Sequence, residues 1–293
     1  MKSLFRGVCT ALITPMRNGE VDLEALRQLI EVQISGGISA LLVNGTTGEP
    51  STLTLEEQEK VIAESVKAVN GRIPVICGTG SNSTRHVVES EKRFRSLGCA
   101  AQLVVTPYYN KTTQEGLYAH FMEIAEKTQL PIIAYNVPSR TNLEISPEVL
   151  GRLAKTGRFA GLKESSYNVP LLLEKLVAMG DDIPLYCGND DMVYPMLSLG
   201  AVGTISVVSD VAPRLMADLV NAWFEGRSRE CLEKQLALLP LVRAMFREVN
   251  PIPCKYAMER MGLCSGELRL PLVEASPATK AEMDGVLKNL NLI

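Results

Sequence analysis

The chain has 293 residues, of which 46% are hydrophobic and 22% charged, and its formal net charge is −3. Such a length buries a large core and fits either two domains or one α/β barrel. The balanced charge, with no basic run, argues against nucleic acid as a partner, and no apolar run reaches the length of a membrane span.

In chain order, the first apolar run, 8–13 (VCTALI), reads as a strand. The opening MKSLFRGVCTALITP has no uninterrupted apolar stretch before a small-residue cleavage site, so a cytoplasmic protein is expected. Over 22–34, Leu23, Leu26, Ile30 and Ile34 recur at helical spacing. A second strand follows at 39–44, then a helix over 54–69 in which Thr54 and Glu57 form a capping-box pair. Further strands are expected at 73–78, 101–106, 131–136, 159–163, 184–188 and 202–206. Pro74, Pro131 and Pro184 fall at strand starts, where proline is tolerated.

Eight strands, each with a helical partner and roughly 25–30 residues apart, predict a (β/α)8 TIM barrel with a C-terminal helical extension. An open doubly wound sheet is the alternative; eight regular units favour closure. The expected division is a barrel over 1–226 and a helical part over 227–293, with helices at 228–248, 252–262 and 277–290.

The seven cysteines are odd in number and form no C-x-x-C pair, and Cys9, Cys77 and Cys187 sit in strand-like runs, so buried reduced thiols are expected. The two histidines, His86 and His120, lie in helical patterns without a zinc-type arrangement around them. Any catalysis therefore falls to lysine and tyrosine.

In such barrels chemistry sits where strands end. The sixth candidate strand, FAGLKESS (159–166), ends on a lysine, a residue seldom buried without a partner. Lys163 either snorkels or pairs with a neighbour such as Glu164, or it serves as an amine for chemistry. A free lysine is neutral in only roughly 0.04% of molecules at pH 7, and burial at a barrel mouth favours the neutral, nucleophilic form. Alternation puts Gly161 on the face of Lys163, where it is expected to leave room beneath the long side chain. Tyr135 ends the preceding strand, so the two tops should adjoin. GTTGE (45–49) offers consecutive N–H groups for an anion, though it is no Walker loop. GTGSNST (78–84) is a weaker signal of the same kind, with Asn82 expected as a helix cap. Arg140 sits in a polar loop.

GVCTALITP (7–15), GTTGE, TPYYN (106–110), YNVPSRT (135–141), GLKE (161–164), GND (188–190) and NPIPCK (250–255) together resemble one family across the whole chain. It is the dihydrodipicolinate synthase / N-acetylneuraminate lyase family of pyruvate-dependent class I aldolases. Asn142 stands where that family usually has glycine. The resemblance implies that Lys163 forms a Schiff base with pyruvate, with no cofactor and no metal. It implies that Thr46 and Thr47 hold the pyruvate carboxylate, and that Tyr135, Thr47 and Tyr109 relay protons. Tyr109 would reach in from a neighbouring subunit, so a homo-oligomer is implied, at least a dimer and expected to be a tetramer. Gly188 and Ile205 would line the site through their backbones, and Arg140 would clamp the carboxylate of a second substrate, aspartate semialdehyde. The product would be 4-hydroxytetrahydrodipicolinate. Two alternatives stay open: an N-acetylneuraminate or keto-sugar-acid lyase, and a non-catalytic binding or regulatory barrel. Lysine-inhibited members carry an inhibitor site that corresponds to Pro50, Ser51, Leu55, Gln58, Asn82, His86 and Tyr108. His86 replaces a glutamate there, so inhibition by lysine is expected to be weak or absent.

Overall fold

The computed structural model describes residues 3–293. Eight strands form the barrel: β1 (Gly7–Ala11), β2 (Ala40–Val43), β3 (Val75–Gly78), β4 (Ala101–Val105), β5 (Ile132–Asn136), β6 (Phe159–Glu164), β7 (Leu185–Cys187) and β8 (Gly203–Ser206). Every neighbour pairs in parallel, and β8 closes on β1. Parallel strands need crossovers, and helices supply them on the outside: α1 (Leu23–Ser35), α2 (Leu55–Val69), α3 (Thr84–Arg95), α4 (Gln114–Lys127), α5 (Pro147–Ala154), α6 (Val169–Met179), α7 (Val193–Ser198) and α8 (Pro213–Phe224). The closed barrel expected from the sequence is thus the fold.

The strands read as continuous apolar runs because both faces are buried. Val8, Leu41 and Val43 face the helices, while Cys9, Ala40 and Leu42 face the interior, so alternation splits the core in two. The interior residues are mostly small or branched. At the closed end Phe5 stacks on Tyr186 at 4.4 Å, and the Tyr186 hydroxyl donates to the Phe5 carbonyl at 3.1 Å. The Phe5–Tyr186 stack thus fills the barrel interior at this end.

Local signals account for the helix starts. Thr54 accepts from the Glu57 N–H at 3.2 Å while the Glu57 carboxylate accepts from the Thr54 N–H at 2.8 Å, the reciprocal pair that the sequence predicted. At α3 the cap is Ser83 rather than Asn82, because its hydroxyl is the one that meets the His86 N–H. Six of the seven free cysteines are buried, the seventh, Cys264, partly so.

A short antiparallel hairpin of Met16–Arg17 and Glu20–Val21, too short to show as a periodic pattern in the sequence, follows β1. Its turn is Asn18-Gly19 with φ of 56° and 82°, the backbone that a two-residue hairpin demands. After Gly226 come α9 (Ser228–Met245), α10 (Ile252–Arg260) and α11 (Pro277–Asn289). α9 packs on α8, and α11 packs on both α9 and α10, so the extension lies against the barrel. Among the described residues no helix is long and apolar enough to cross a membrane.

Candidate active site

The open end holds a cavity of about 510 Å³ whose wall includes Thr46, Thr47, Tyr135, Arg140, Lys163 and Gly188. Four strand ends deliver these six residues to one place. Lys163 is next to last in β6 and only 5% exposed. Register pairs it with Tyr135 of β5, and its Nζ lies 4.2 Å from the Tyr135 ring centroid. The amine therefore stands against the ring face within the cavity wall.

The salt bridge to Glu164 that the sequence left open does not form. Alternation turns Glu164 to the opposite face, where it meets Lys175 at 2.8 Å and accepts from Asn136 Nδ2 at 2.7 Å and the Ser166 N–H at 2.8 Å. Its capacity is used on the helix side of the strand, and Lys163 is left without an ionic partner among the described residues.

Gly161 does not serve the lysine as expected. A side chain there would strike the Tyr186 ring at 2.6 Å, so the missing Cβ admits that floor tyrosine. Gly161 does share the interior face with Lys163, since the two pair with Ile133 and Tyr135 past the irregularity in β6, but Tyr186 of the neighbouring β7 fills the space there. Gly188 is the glycine that clears the lysine: a Cβ there would lie 3.1 Å from Lys163 Cε and 2.0 Å from Ser165 Oγ.

Thr46 and Thr47 form a tight 3₁₀ turn after β2, with Gly45 before it and Glu49 in the left-handed region after it. Thr14 of the GVCTALITP segment pins the turn by donating to the Gly48 carbonyl at 2.7 Å. Thr46 is exposed to the cavity, whereas Thr47 is buried. Arg140 sits on the one-turn helix Pro138–Thr141, which ends on Asn142 at a φ of 52°. Asparagine tolerates this left-handed position better than most residues with a side chain. The guanidinium side chain is exposed and also lines an adjoining hollow toward Tyr108.

Two predicted residues lie apart from this wall. Tyr109 is 91% exposed, at a φ of 70°, and outside the cavity. Ile205 is buried with the barrel interior beside Cys9.

Four further residues belong to the wall: Ser165, Asn189, Asp190 and Asn250. Each has a buried polar atom without a partner: Ser165 Oγ, Asn189 Nδ2, Asp190 Oδ1 and Asn250 Oδ1. Leaving such a group unsatisfied costs about 1–3 kcal/mol, so this wall is suited to a polar ligand. Asp190 Oδ2 accepts the N–H groups of Val207 and Val208, both at 2.9 Å. Burial pushes the Asp190 carboxyl above the usual carboxylate range, against the pull of Ser206 and those N–H groups. Burial also pushes the Cys9 and Cys187 thiols up, which removes them as rival nucleophiles. GND and NPIPCK in the sequence could have pointed to Asp190 and Asn250. Among the described residues no cluster of histidine, cysteine and carboxylate could hold a metal.

A second hollow, of about 650 Å³, gathers Pro50, Ser51, Leu55, Gln58, His86 and Tyr108, while Asn82 stands outside its wall. Two nearby carboxylates, Glu49 and Glu57, do not line it and are engaged elsewhere. Glu49 meets Lys255 at 2.5 Å, and Glu57 takes both arms of Arg269 at 2.5 and 2.7 Å. Glu89 does line the hollow, bridged to Arg85 at 2.7 Å, and Lys92 and Arg93 line it too.

Known proteins resemble the chain along its length. The model of the dihydrodipicolinate synthetase family matches residues 4–290. A curated 4-hydroxy-tetrahydrodipicolinate synthase of Geotalea daltonii is 46% identical over 290 residues, which is 99% of this chain and 100% of that protein. The solved dihydrodipicolinate synthase of Thermotoga maritima superposes with a TM-score of 0.97 at 43% identity, covering 99% of this chain and 100% of the other. That of Aquifex aeolicus gives 0.96 at 45% identity, over 98% and 99% of the two chains.

Proposed function

The chain belongs to the dihydrodipicolinate synthetase family, and from that premise we propose that its cavity joins pyruvate to L-aspartate 4-semialdehyde through an imine on Lys163. The activity is that of a 4-hydroxy-tetrahydrodipicolinate synthase, a Schiff-base lyase of lysine and diaminopimelate biosynthesis. The observation that carries the reading is the lysine itself: buried, without an ionic partner, over the ring of Tyr135 at a barrel mouth. Neither the sugar-acid lyase nor the non-catalytic barrel is favoured.

In this reading the neutral Lys163 amine adds to C2 of pyruvate. The carbinolamine loses water as its hydroxyl is protonated, which leaves the imine. Loss of a methyl proton gives the enamine, whose carbon attacks the aldehyde carbon; the new alkoxide takes a proton. The α-amino group of the second substrate then adds to the imine carbon and expels Lys163, closing the ring. Every step moves a proton, so donors must stand ready. Tyr135, Thr47 and a Tyr109 supplied by a second copy of the chain fill that role. The exposure of Tyr109 supports this assignment, since nothing within its own chain covers it. A dimer is then the smallest complete unit, and a tetramer is the proposed assembly. Thr46 and Thr47 hold the pyruvate carboxylate, Gly188 and Ile205 contribute backbone, and Arg140 receives the second carboxylate at the rim. The imine is made of substrate, and no cofactor enters. The seven free cysteines support the cytoplasm as the compartment.

Borohydride tests the reading. With pyruvate present, reduction of the imine should inactivate the protein and leave a stable adduct on the peptide bearing Lys163. An adduct on Lys111 or Lys255 instead would refute it.

A further inference from the structure

Asn250 follows α9 and precedes α10, so it belongs to the helical extension and not to the barrel. It is nevertheless 5% exposed, lines the cavity and donates from Nδ2 to Thr47 Oγ1 at 2.9 Å. A threonine hydroxyl has one proton to give and two lone pairs to fill. When Asn250 fills a lone pair, the hydroxyl proton is directed away from the extension, toward the cavity that Tyr135 and Lys163 line. Asn250 Oδ1, buried and unpartnered, faces no competing donor. The amide cannot drift off, because the segment behind it is anchored. Lys255, one turn into α10, is fully buried, meets Glu49 at 2.5 Å and donates to the Glu267 carbonyl at 2.8 Å. Glu49 ends the same GTTGE turn that carries Thr47.

We propose that Asn250 is a positioning residue: its amide sets the direction in which the Thr47 hydroxyl passes its proton. The proposal rests on the reading of Thr47 as a relay group. It also assigns the extension a part in the chemistry of the barrel.

Asn250→Ala and Asn250→Asp, in the full-length protein, test it. Asn250→Ala should lower kcat about tenfold or more with the KM for aspartate semialdehyde near that of the parent, a loss equal to about one hydrogen bond. In a Thr47→Val background the same change should have no further effect, since Asn250 acts through that hydroxyl. Asn250→Asp replaces a donor by an acceptor that draws the Thr47 proton toward the extension. Its activity should recover, relative to the parent, as pH falls and the new carboxyl regains a proton. Equal losses in the Thr47 and Thr47→Val backgrounds, or an Asn250→Asp profile parallel to that of the parent, would overturn the proposal. Failure of borohydride trapping in the parent would instead count against the imine reading.

Discussion

Lys175→Met offers a quantitative test of how the strand of Lys163 is held. Lys175 of α6 is fully buried against Glu164 at 2.8 Å, and it also pairs with Glu144. Asn136 Nδ2 bridges the two carboxylates, at 2.5 Å to Glu144 and 2.7 Å to Glu164. Methionine keeps the apolar stem and fills the space, so no large cavity opens and the loss is electrostatic. Removing one partner of a buried pair costs about 3–5 kcal/mol. Glu164 keeps two of its bonds, from Asn136 and from the Ser166 N–H, so the low end applies, about 3 kcal/mol. For a chain of this size that lowers the unfolding midpoint by roughly 5–10 °C. The assay is thermal unfolding followed by circular dichroism at neutral pH. Adding Glu164→Gln should restore part of the loss, because no unpaired carboxylate then remains in the core. Borohydride trapping with pyruvate should survive in the single variant, since Lys163 faces the other side of β6. An unchanged midpoint for Lys175→Met, or a further drop in the double variant, would refute the reasoning.

Three further outcomes are expected. Arg140→Ala should raise the KM for aspartate semialdehyde about thirtyfold and leave that for pyruvate nearly unchanged, since a truncated charge pair costs about 2 kcal/mol at the weak end of the range and this arginine is exposed before substrate binds; steady-state kinetics with each substrate varied checks it. His120, whose Nδ1 meets Thr84 Oγ1 at 2.9 Å, has its pKa lowered by burial to about 4, so the unfolded chain binds the proton first and stability should fall as pH drops from about 6.5 to about 4. His120→Gln should flatten that window in acid-unfolding titrations. L-lysine should inhibit weakly or not at all in initial-rate titrations, because Lys92 and Arg93 outweigh the one carboxylate, Glu89, around the hollow and disfavour a ligand with two ammonium groups; strong sub-millimolar inhibition would contradict this.

What the sequence carried well was what periodicity and strand ends carry. Eight apolar runs, each with a helical partner, gave the barrel, and the extension helices predicted at 228–248, 252–262 and 277–290 lie at Ser228–Met245, Ile252–Arg260 and Pro277–Asn289. Lys163 and Tyr135 came together because adjacent parallel strands bring their ends to one rim. What failed was what depends on registry or on distant chain. Alternation does put Gly161 on the face of Lys163, but the space beneath is filled by Tyr186 of the next strand, which a pattern within β6 alone cannot place. The partner of Glu164 is a helix lysine eleven residues on, not its neighbour Lys163. Asn250 opens the NPIPCK segment, but its contact spans 203 positions, so no local pattern ties it to Thr47.

That last contact shows why two motifs so far apart keep company. The turn after β2 must hold Thr46 and Thr47 rigidly, yet it is short and lies at the rim, where strand pairing has ended. The extension supplies what the barrel lacks. Asn250 fixes Thr47, Lys255 fixes Glu49, and Arg269 reaches the Thr52 carbonyl at 2.7 Å and the carboxylate of Glu57. The pair with Arg269 holds the Glu57 carboxyl down to about 2, so it stays charged and bound at any physiological pH. Three ties along residues 47–57 come from one direction, while Thr14 of the segment after β1 holds Gly48 from the other. A buried ion pair such as Lys255–Glu49 is weak evidence for stability, because desolvation offsets much of the attraction. Its geometry serves position better than energy: a charge inside the wall tolerates one partner at one distance. The helical extension is best understood as the outer half of the loop that grips the pyruvate carboxylate in the proposed reaction, added where the barrel alone leaves that loop unsupported.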